Sequence, residues 1–490
     1  MAKSVILKSS FIKIFIGLFL AVLFYAINPL NVSELANKTL FVAILMISWW
    51  VSEALPMPVV GLVPLILFPL LKIMSIDKAA YSYASPIIFL FLGGFMLGLA
   101  IEKWNLHRRI ALSIVKLTGT SGNRIIIGFI LATGLLSMWL SNTATTIMML
   151  PIALSIIHVM KKNYSGNGNL DNFSLVLMLV IAFASNMGGI ATIVGTPPNI
   201  SYVGHIYTQY HHQIDFIDWM MVCTPLSIAL MITLYWILAK WLYPNHIKSS
   251  SETKAIINQQ YKDLGKFSNA EKRVLIVFIF TSTLWITRGV INKLNPFFQL
   301  DDTMIALIST IALFAIPAGM KTTENQSGSE NLLIWEDSKK MAWGILLLFG
   351  GGIALGKGLE EAQLVQLLGN WLASYQIKGF MMILIITTIS IFISELTSNV
   401  AQVIIFAPVV SSLASAMDIN PLMLGVPMTM AASCASMLPM GTPPNAIVFS
   451  SGYIKLRQMV YAGFILNVVS IILISLFCWF LIPLFMDYKL

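Results

Sequence analysis

Apolar residues run along this chain in blocks, most of them near the length of about 20 residues that carries a helix across a bilayer, and polar residues gather in the gaps. The blocks at 11–30, 39–56, 59–72, 86–101, 174–204, 219–239, 273–293, 303–320, 342–359, 421–453 and 458–486 each read as a membrane span. Two further stretches, 125–159 and 379–416, are too long for one crossing. Each is broken midway, the first by Ser141-Asn142-Thr143 and the second by Ser398-Asn399-Val400. A break that faces lipid leaves N–H and C=O groups unpaired, so it survives only inside protein or beside water. Both stretches are therefore predicted to be re-entrant hairpins that enter and leave on the same side. The fold class that follows is an all-α polytopic membrane protein with about 11 transmembrane helices and two re-entrant hairpins.

Charge tests this count independently, because cytoplasmic loops carry an excess of Lys and Arg. Lys3, Lys8 and Lys13 lead into the first block, which is too long for a signal-peptide core and has no small-residue cleavage site after it. It reads as a first span with a cytoplasmic N-terminus, and the count then leaves the C-terminus outside. On that assignment the inner loops hold Lys103, Arg108, Arg109, Arg124, Lys161 and Lys162, seven Lys/Arg in 240–273, then Lys321, Lys339, Lys340, Lys455 and Arg457. The outer loops hold His211, His212, Asp215, Asp218, Glu360 and Glu361, with Lys72, Lys78, Lys293 and Lys378 as exceptions. A full crossing at either long stretch would reverse every loop beyond it and destroy the sorting. The polar segment 244–270 is expected to be a lateral cytoplasmic helix or a mobile loop, and 321–338 is given no chemical role.

Composition agrees with a membrane chain. Of 490 residues, 57% are hydrophobic and 10% charged, against about 25% charged in soluble domains. The net charge of +9 is accounted for by the inner loops and does not indicate nucleic acid. Cys223, Cys434 and Cys478 lie in apolar segments and offer neither a disulfide framework nor metal-ligand spacing. No Ser/His/Asp or Cys/His grouping and no phosphate-cradling loop appears, so no enzyme is indicated. Single histidines such as His158 and His205 read as packing residues.

The two broken stretches share a frame. Gly93-Gly94 stands 49 residues before Asn142, and Gly350-Gly351 stands 49 before Asn399. Pro151 and Pro408 each follow the tip asparagine by nine residues. Both units end in the same pentapeptide, Gly195-Thr196-Pro197-Pro198-Asn199 and Gly441-Thr442-Pro443-Pro444-Asn445. The extra loop 161–172 makes the first interval longer, 57 residues against 46. Because the first hairpin enters from inside and the second from outside, the units form an inverted repeat, the architecture of secondary transporters.

At a hairpin tip, Ser, Asn and Thr can simply cap a helix. In matched pairs they also offer oxygens to a hard cation and helix N-termini to an anion. The paired prolines remove two N–H donors and are expected to leave unwound backbone at 195–199 and 441–445. Neither tip nor pentapeptide contains Lys or Arg, so an anion bound there must be balanced by dipoles, hydroxyls, amides and bound cations. Glu395 adds negative charge near the second tip. It either stands beside a bound cation or faces water or a partner helix. Glu53 is open between structural pairing and function.

Glu53-Ala-Leu-Pro-Met-Pro, the paired tips and the twin pentapeptides together resemble the divalent-anion:sodium symporter family of INDY-type dicarboxylate and citrate transporters, over essentially the whole chain. The resemblance implies at least two Na⁺ sites, the first at Ser137, Ser141, Asn142 and Gly195, the second at Ser394, Thr397, Asn399 and Gly441. It implies a dicarboxylate, such as succinate, malate or fumarate, held by Asn142, Thr143, Thr196, Asn399, Thr442 and Pro443. Val400 stands where many relatives carry threonine, so one hydroxyl contact is missing on that side. The resemblance further implies a homodimer with an elevator-type movement. Its domain division would be 1–85 scaffold, 86–218 first repeat, 219–341 scaffold with a cytoplasmic loop, 342–453 second repeat and 454–490 a C-terminal helix. Na⁺-independent dicarboxylate or citrate exchange, and sulfate as substrate, are the alternatives within transport. An ion channel would instead need a continuous polar pore.

Overall fold

The computed structural model describes residues 2–163, 169–249, 251–294, 297, 299–319, 330–364, 367 and 379–486. Lys321 and Lys378, residues 321–329 of the polar segment and the middle of the 161–172 loop fall outside them. The described residues are helical, with one isolated antiparallel bridge between Pro317 and Asn331 and no strand. Among them, nine helices are long and apolar enough to cross a membrane.

Both long stretches break where Ser and Asn fall. The first hairpin is the helix Gly122–Ser137 followed by Asn142–Asn163, and the second is Phe380–Ser394 followed by Asn399–Ala416. The predicted span 174–204 is two helices, Leu170–Gly189 and Pro197–Tyr210, and 421–453 is likewise Leu422–Ser433 and Pro443–Phe449. The backbone leaves the helix earlier than the sequence predicts, over 190–196 and 434–442 rather than 195–199 and 441–445. The reason lies in the prolines. Pro197 and Pro443 occupy the first helical position, where the missing N–H has no intrahelical partner to lose and the fixed φ suits the helix. They start helices instead of unwinding them.

The helix Leu170–Gly189 is buried at every residue from Phe173 to Gly189, as expected of a helix that is apolar all round. It meets the first hairpin backbone to backbone: a Cβ on Gly188 would lie 2.3 Å from the Gly134 carbonyl oxygen. Small residues allow such an approach, and van der Waals packing drives helix association in membranes. The landmark glycines serve the same purpose. A Cβ on Gly93 would lie 2.6 Å from Ala306 Cβ, and one on Gly351 would lie 2.2 Å from Gly61 O.

One element is absent from the predicted set. Residues 103–124 read as a charged loop, yet Leu106–Thr118 is a helix that buries Leu106, Ala111, Leu112 and Val115. Arg109 fastens it with a two-pronged contact to Glu271, at 2.7 and 3.2 Å, and donates to the carbonyls of Leu264, Gly265 and Lys266. The 244–270 segment contains the helix Ser251–Asp263.

Candidate functional site

The two tips and the two pentapeptides, far apart in sequence, line one cavity of about 1260 Å³. Ser141, Asn142, Thr143 and Thr196 come to it from the first repeat. Thr397, Asn399, Val400, Gly441, Thr442 and Pro443 come from the second. Three predicted residues, Ser137, Gly195 and Ser394, do not line the cavity and stand behind it, buried.

The two halves place matching residues at matching positions. Ser137, the last residue of its helix, donates to Asn142 Oδ1 at 2.7 Å; Ser394, last of its own, stands 2.8 Å from the Asn399 carboxamide and 2.5 Å from the Ala432 carbonyl, which accepts its one proton. The Ser137 hydroxyl thus fixes which way the first tip carboxamide points, and Ser394 ties the second tip to the helix Leu422–Ser433 instead. The terminal asparagines of the pentapeptides match as well. Asn199 Nδ2 donates to the carbonyls of Gly189 and Thr192 at 3.2 and 2.8 Å. Asn445 Nδ2 donates to those of Ala435 and Leu438 at 3.2 and 3.1 Å. Both side chains staple the non-helical backbone to the helix that follows it, which removes carbonyls that burial would otherwise leave unpaired. Motif position pointed to these asparagines, but not to this task.

Helix polarity organises the site. The helices starting at Asn142, Pro197, Asn399 and Pro443 all begin at the cavity. Those ending at Ser137, Gly189, Ser394 and Ser433 stop at the breaks just before them. N-terminal ends carry partial positive charge and favour anions, while C-terminal ends present free carbonyls and favour cations. Gly195 lies where a side chain has no room: a Cβ there would be 2.4 Å from Gly189 O and 3.0 Å from Met138 O. Backbone oxygens therefore crowd behind the first tip. Ser141 Oγ caps its helix by accepting from Ala144 N at 3.2 Å, and Thr397 Oγ1 donates to Ile393 O at 3.0 Å. Among the described residues no group of three or more His, Cys, Asp or Glu is placed to hold a metal; neutral oxygens of this kind suit a weakly demanding hard cation.

Glu395 neither lines the cavity nor faces water. It is buried, and it accepts from the backbone N–H groups of Ser436, Met437 and Leu438 at 2.8, 2.8 and 2.9 Å and from Asn467 Nδ2 at 2.7 Å. It is the acceptor for the N–H groups that the second non-helical segment frees. The first repeat has Met138 at the equivalent place. There Thr192 Oγ1 donates to Met138 O at 2.5 Å and accepts from Gly195 N at 3.1 Å. His205 is half-buried, with Nε2 3.1 Å from Ser411 Oγ. Glu53 lines the cavity, together with Glu102, His107 and Lys340.

A family model described as the sodium:sulfate symporter transmembrane region matches residues 8–486. The chain belongs to the sodium:sulfate symporter family. Within that family it is 39% identical over 479 residues to a sodium-dependent dicarboxylate transporter, SdcS, of Staphylococcus saprophyticus, covering 96% of this chain and 91% of the relative. The SdcS of Staphylococcus aureus is 38% identical over 443 residues, covering 89% of this chain and 84% of its own length. The fold is shared more widely than the symporter family's sequence. The YdaH transporter of Alcanivorax borkumensis superposes with a TM-score of 0.58 at 13% identity, over 85% of this chain and 90% of that one. The MtrF pump of Neisseria gonorrhoeae does so with 0.56 at 11% identity, over 82% and 83%.

Proposed function

We propose that this protein is a secondary active transporter coupling Na⁺ entry to uptake of a C4-type dicarboxylate such as succinate, malate or fumarate. The observation that carries the reading is the convergence of both tips and both pentapeptides on one cavity, with four helix N-termini directed at it. Those termini are the positive ends of helix dipoles and suit the carboxylates of a dianion. Among the described residues Lys340 is the one Lys or Arg in the lining, so full neutralisation of a dianion needs cations. Na⁺ bound at the crowded carbonyls behind each tip supplies that charge and couples the two species. Ser137, Ser141, Asn142 and Gly195 would form one such site, and Ser394, Thr397, Asn399 and Gly441 the other. Asn142, Thr143, Thr196, Asn399, Thr442 and Pro443 would hold the dianion, with Val400 beside them.

Dicarboxylate is favoured over sulfate because the relatives sharing 38–39% of this sequence carry dicarboxylate in their names. Charge sorting places Glu102, His107 and Lys340 at the cytoplasmic face, and all three line the cavity. The cavity is accordingly read as opening inward, with the N-terminus inside and the C-terminus outside. A homodimer moving its repeats as elevators against scaffold helices completes the reading. Uptake of labelled succinate into cells lacking their own dicarboxylate carriers tests it: malate and fumarate should compete, and sulfate and citrate should not. Competition by sulfate alone would overturn the substrate assignment.

A further inference from the structure

Asn186 was not singled out by any motif, yet its carboxamide joins the two repeats. It lies near the end of the buried helix Leu170–Gly189, is 1% exposed and reaches the cavity. Its Nδ2 donates to Thr442 Oγ1, in the other repeat, at 3.0 Å, and its Oδ1 accepts from Asn142 Nδ2 at 3.5 Å. Neighbours settle its orientation. Asn445 spends its Nδ2 on the carbonyls of Ala435 and Leu438, so its Oδ1 faces Asn186 Nδ2 at 3.5 Å. Asn142 Oδ1 is taken by Ser137, so its Nδ2 faces Asn186 Oδ1. A rotated Asn186 amide would set oxygen against oxygen on one side and N–H against N–H on the other.

The consequence falls on Thr442. A threonine hydroxyl has one O–H donor and two acceptor lone pairs. Thr442 Oγ1 accepts from Asn186 Nδ2 at 3.0 Å and from Asn445 N at 3.3 Å, which occupies both lone pairs. Its O–H donates to no protein acceptor among the described residues, and Thr442 lines the cavity. The first repeat has no such arrangement. Thirteen residues before Asn199 stands Asn186, whereas thirteen before Asn445 stands Ala432, which has no amide to offer. Asn199 N donates to the backbone oxygen of Thr196, not to its hydroxyl.

We propose that Asn186 is a positioning residue that fixes the Thr442 hydroxyl as an obligate donor to the bound dianion. A hydroxyl free to rotate can turn a lone pair toward the ligand and repel it; one whose lone pairs are both engaged cannot. The inference rests on the transport reading above, in that it takes Thr442 to contact the substrate. It adds a selectivity element on the second-repeat side, where Val400 offers no hydroxyl.

The test is a double-mutant cycle on purified, reconstituted full-length protein, read as the succinate KM at saturating Na⁺. Asn186→Ala should raise KM about tenfold with kcat nearly unchanged, and Thr442→Val should raise it at least as far. The double variant should be no worse than Thr442→Val, because Asn186 acts through the hydroxyl that this change removes. A merely structural role would lower the unfolding temperature and act equally in the wild-type and Thr442→Val backgrounds, so the cycle on KM separates the two. Additive effects or an unchanged KM would overturn the inference. Wild-type protein that transports neither succinate, malate nor fumarate would overturn the transport reading, and this inference with it.

Discussion

Ser137 donates to Asn142 Oδ1 at 2.7 Å, across the break at the first hairpin tip. The hydroxyl at the end of one half-helix thereby sets the carboxamide at the start of the next; Ser394 stands at the equivalent place, 2.8 Å from the Asn399 carboxamide, with its proton on the Ala432 carbonyl. Ser137→Ala and Ser394→Ala each remove one buried hydroxyl hydrogen bond beside a tip, worth about 1 kcal/mol. The expected outcome is a roughly fivefold rise in the Na⁺ concentration for half-maximal uptake, with membrane levels unchanged. Na⁺ titrations of succinate uptake at fixed substrate measure it.

The tip carboxamides themselves have no substitute. Asn142→Ala and Asn399→Ala should each abolish transport while leaving expression and membrane insertion intact, because alanine still permits a helix to start there. Uptake normalised to surface-labelled protein separates the two effects. Normal transport by either variant would remove that residue from the site.

Glu395→Gln tests a buried role that is distinct from ion binding. Both carboxylate oxygens accept N–H groups, three of them backbone, whereas a glutamine amide places an NH₂ where one oxygen was. The loss should be about 2–4 kcal/mol of folding stability, seen as a lower unfolding temperature in detergent with or without Na⁺. A variant that folds normally and loses only Na⁺ dependence would instead make Glu395 part of a cation site.

Much of this site was legible in the chain because it occurs twice. A single Ser-Asn-Thr is an ordinary cap; two, held in the same 49- and nine-residue frames, mark halves of one cavity. The position of the non-helical backbone was less legible. Paired prolines suggest a break at themselves, but Pro197 and Pro443 fit the first helical turn and the break lies before them. Asn186 depends on a partner 256 residues away in sequence, and the stapling by Asn199 and Asn445 depends on the path of the non-helical turn just before each. The helix Leu106–Thr118 was hidden by its charges, although Leu106, Ala111, Leu112 and Val115 mark an apolar face at helical spacing. Glu395 showed its charge in the sequence, but not the three backbone N–H groups that bury it.

The one difference between the tips, Thr143 against Val400, places a hydroxyl on one side of the cavity and methyl groups on the other. Thr143→Val should raise the succinate KM by about tenfold or more through loss of a hydrogen bond to a charged group. Val400→Thr should lower it or widen the range of dianions that compete. Competition profiles with succinate, malate, citrate and sulfate on both variants report the outcome.

The central claim is coupling of a dianion to Na⁺ through two tip sites that lack basic residues. Its most direct test is labelled succinate uptake into proteoliposomes with an inward Na⁺ gradient, compared with K⁺ in its place and with equal Na⁺ on both sides. The expected result is accumulation above equilibrium only with the gradient, collapsing when a Na⁺ ionophore is added. Accumulation indifferent to Na⁺, or driven only by dicarboxylate loaded inside, would contradict it.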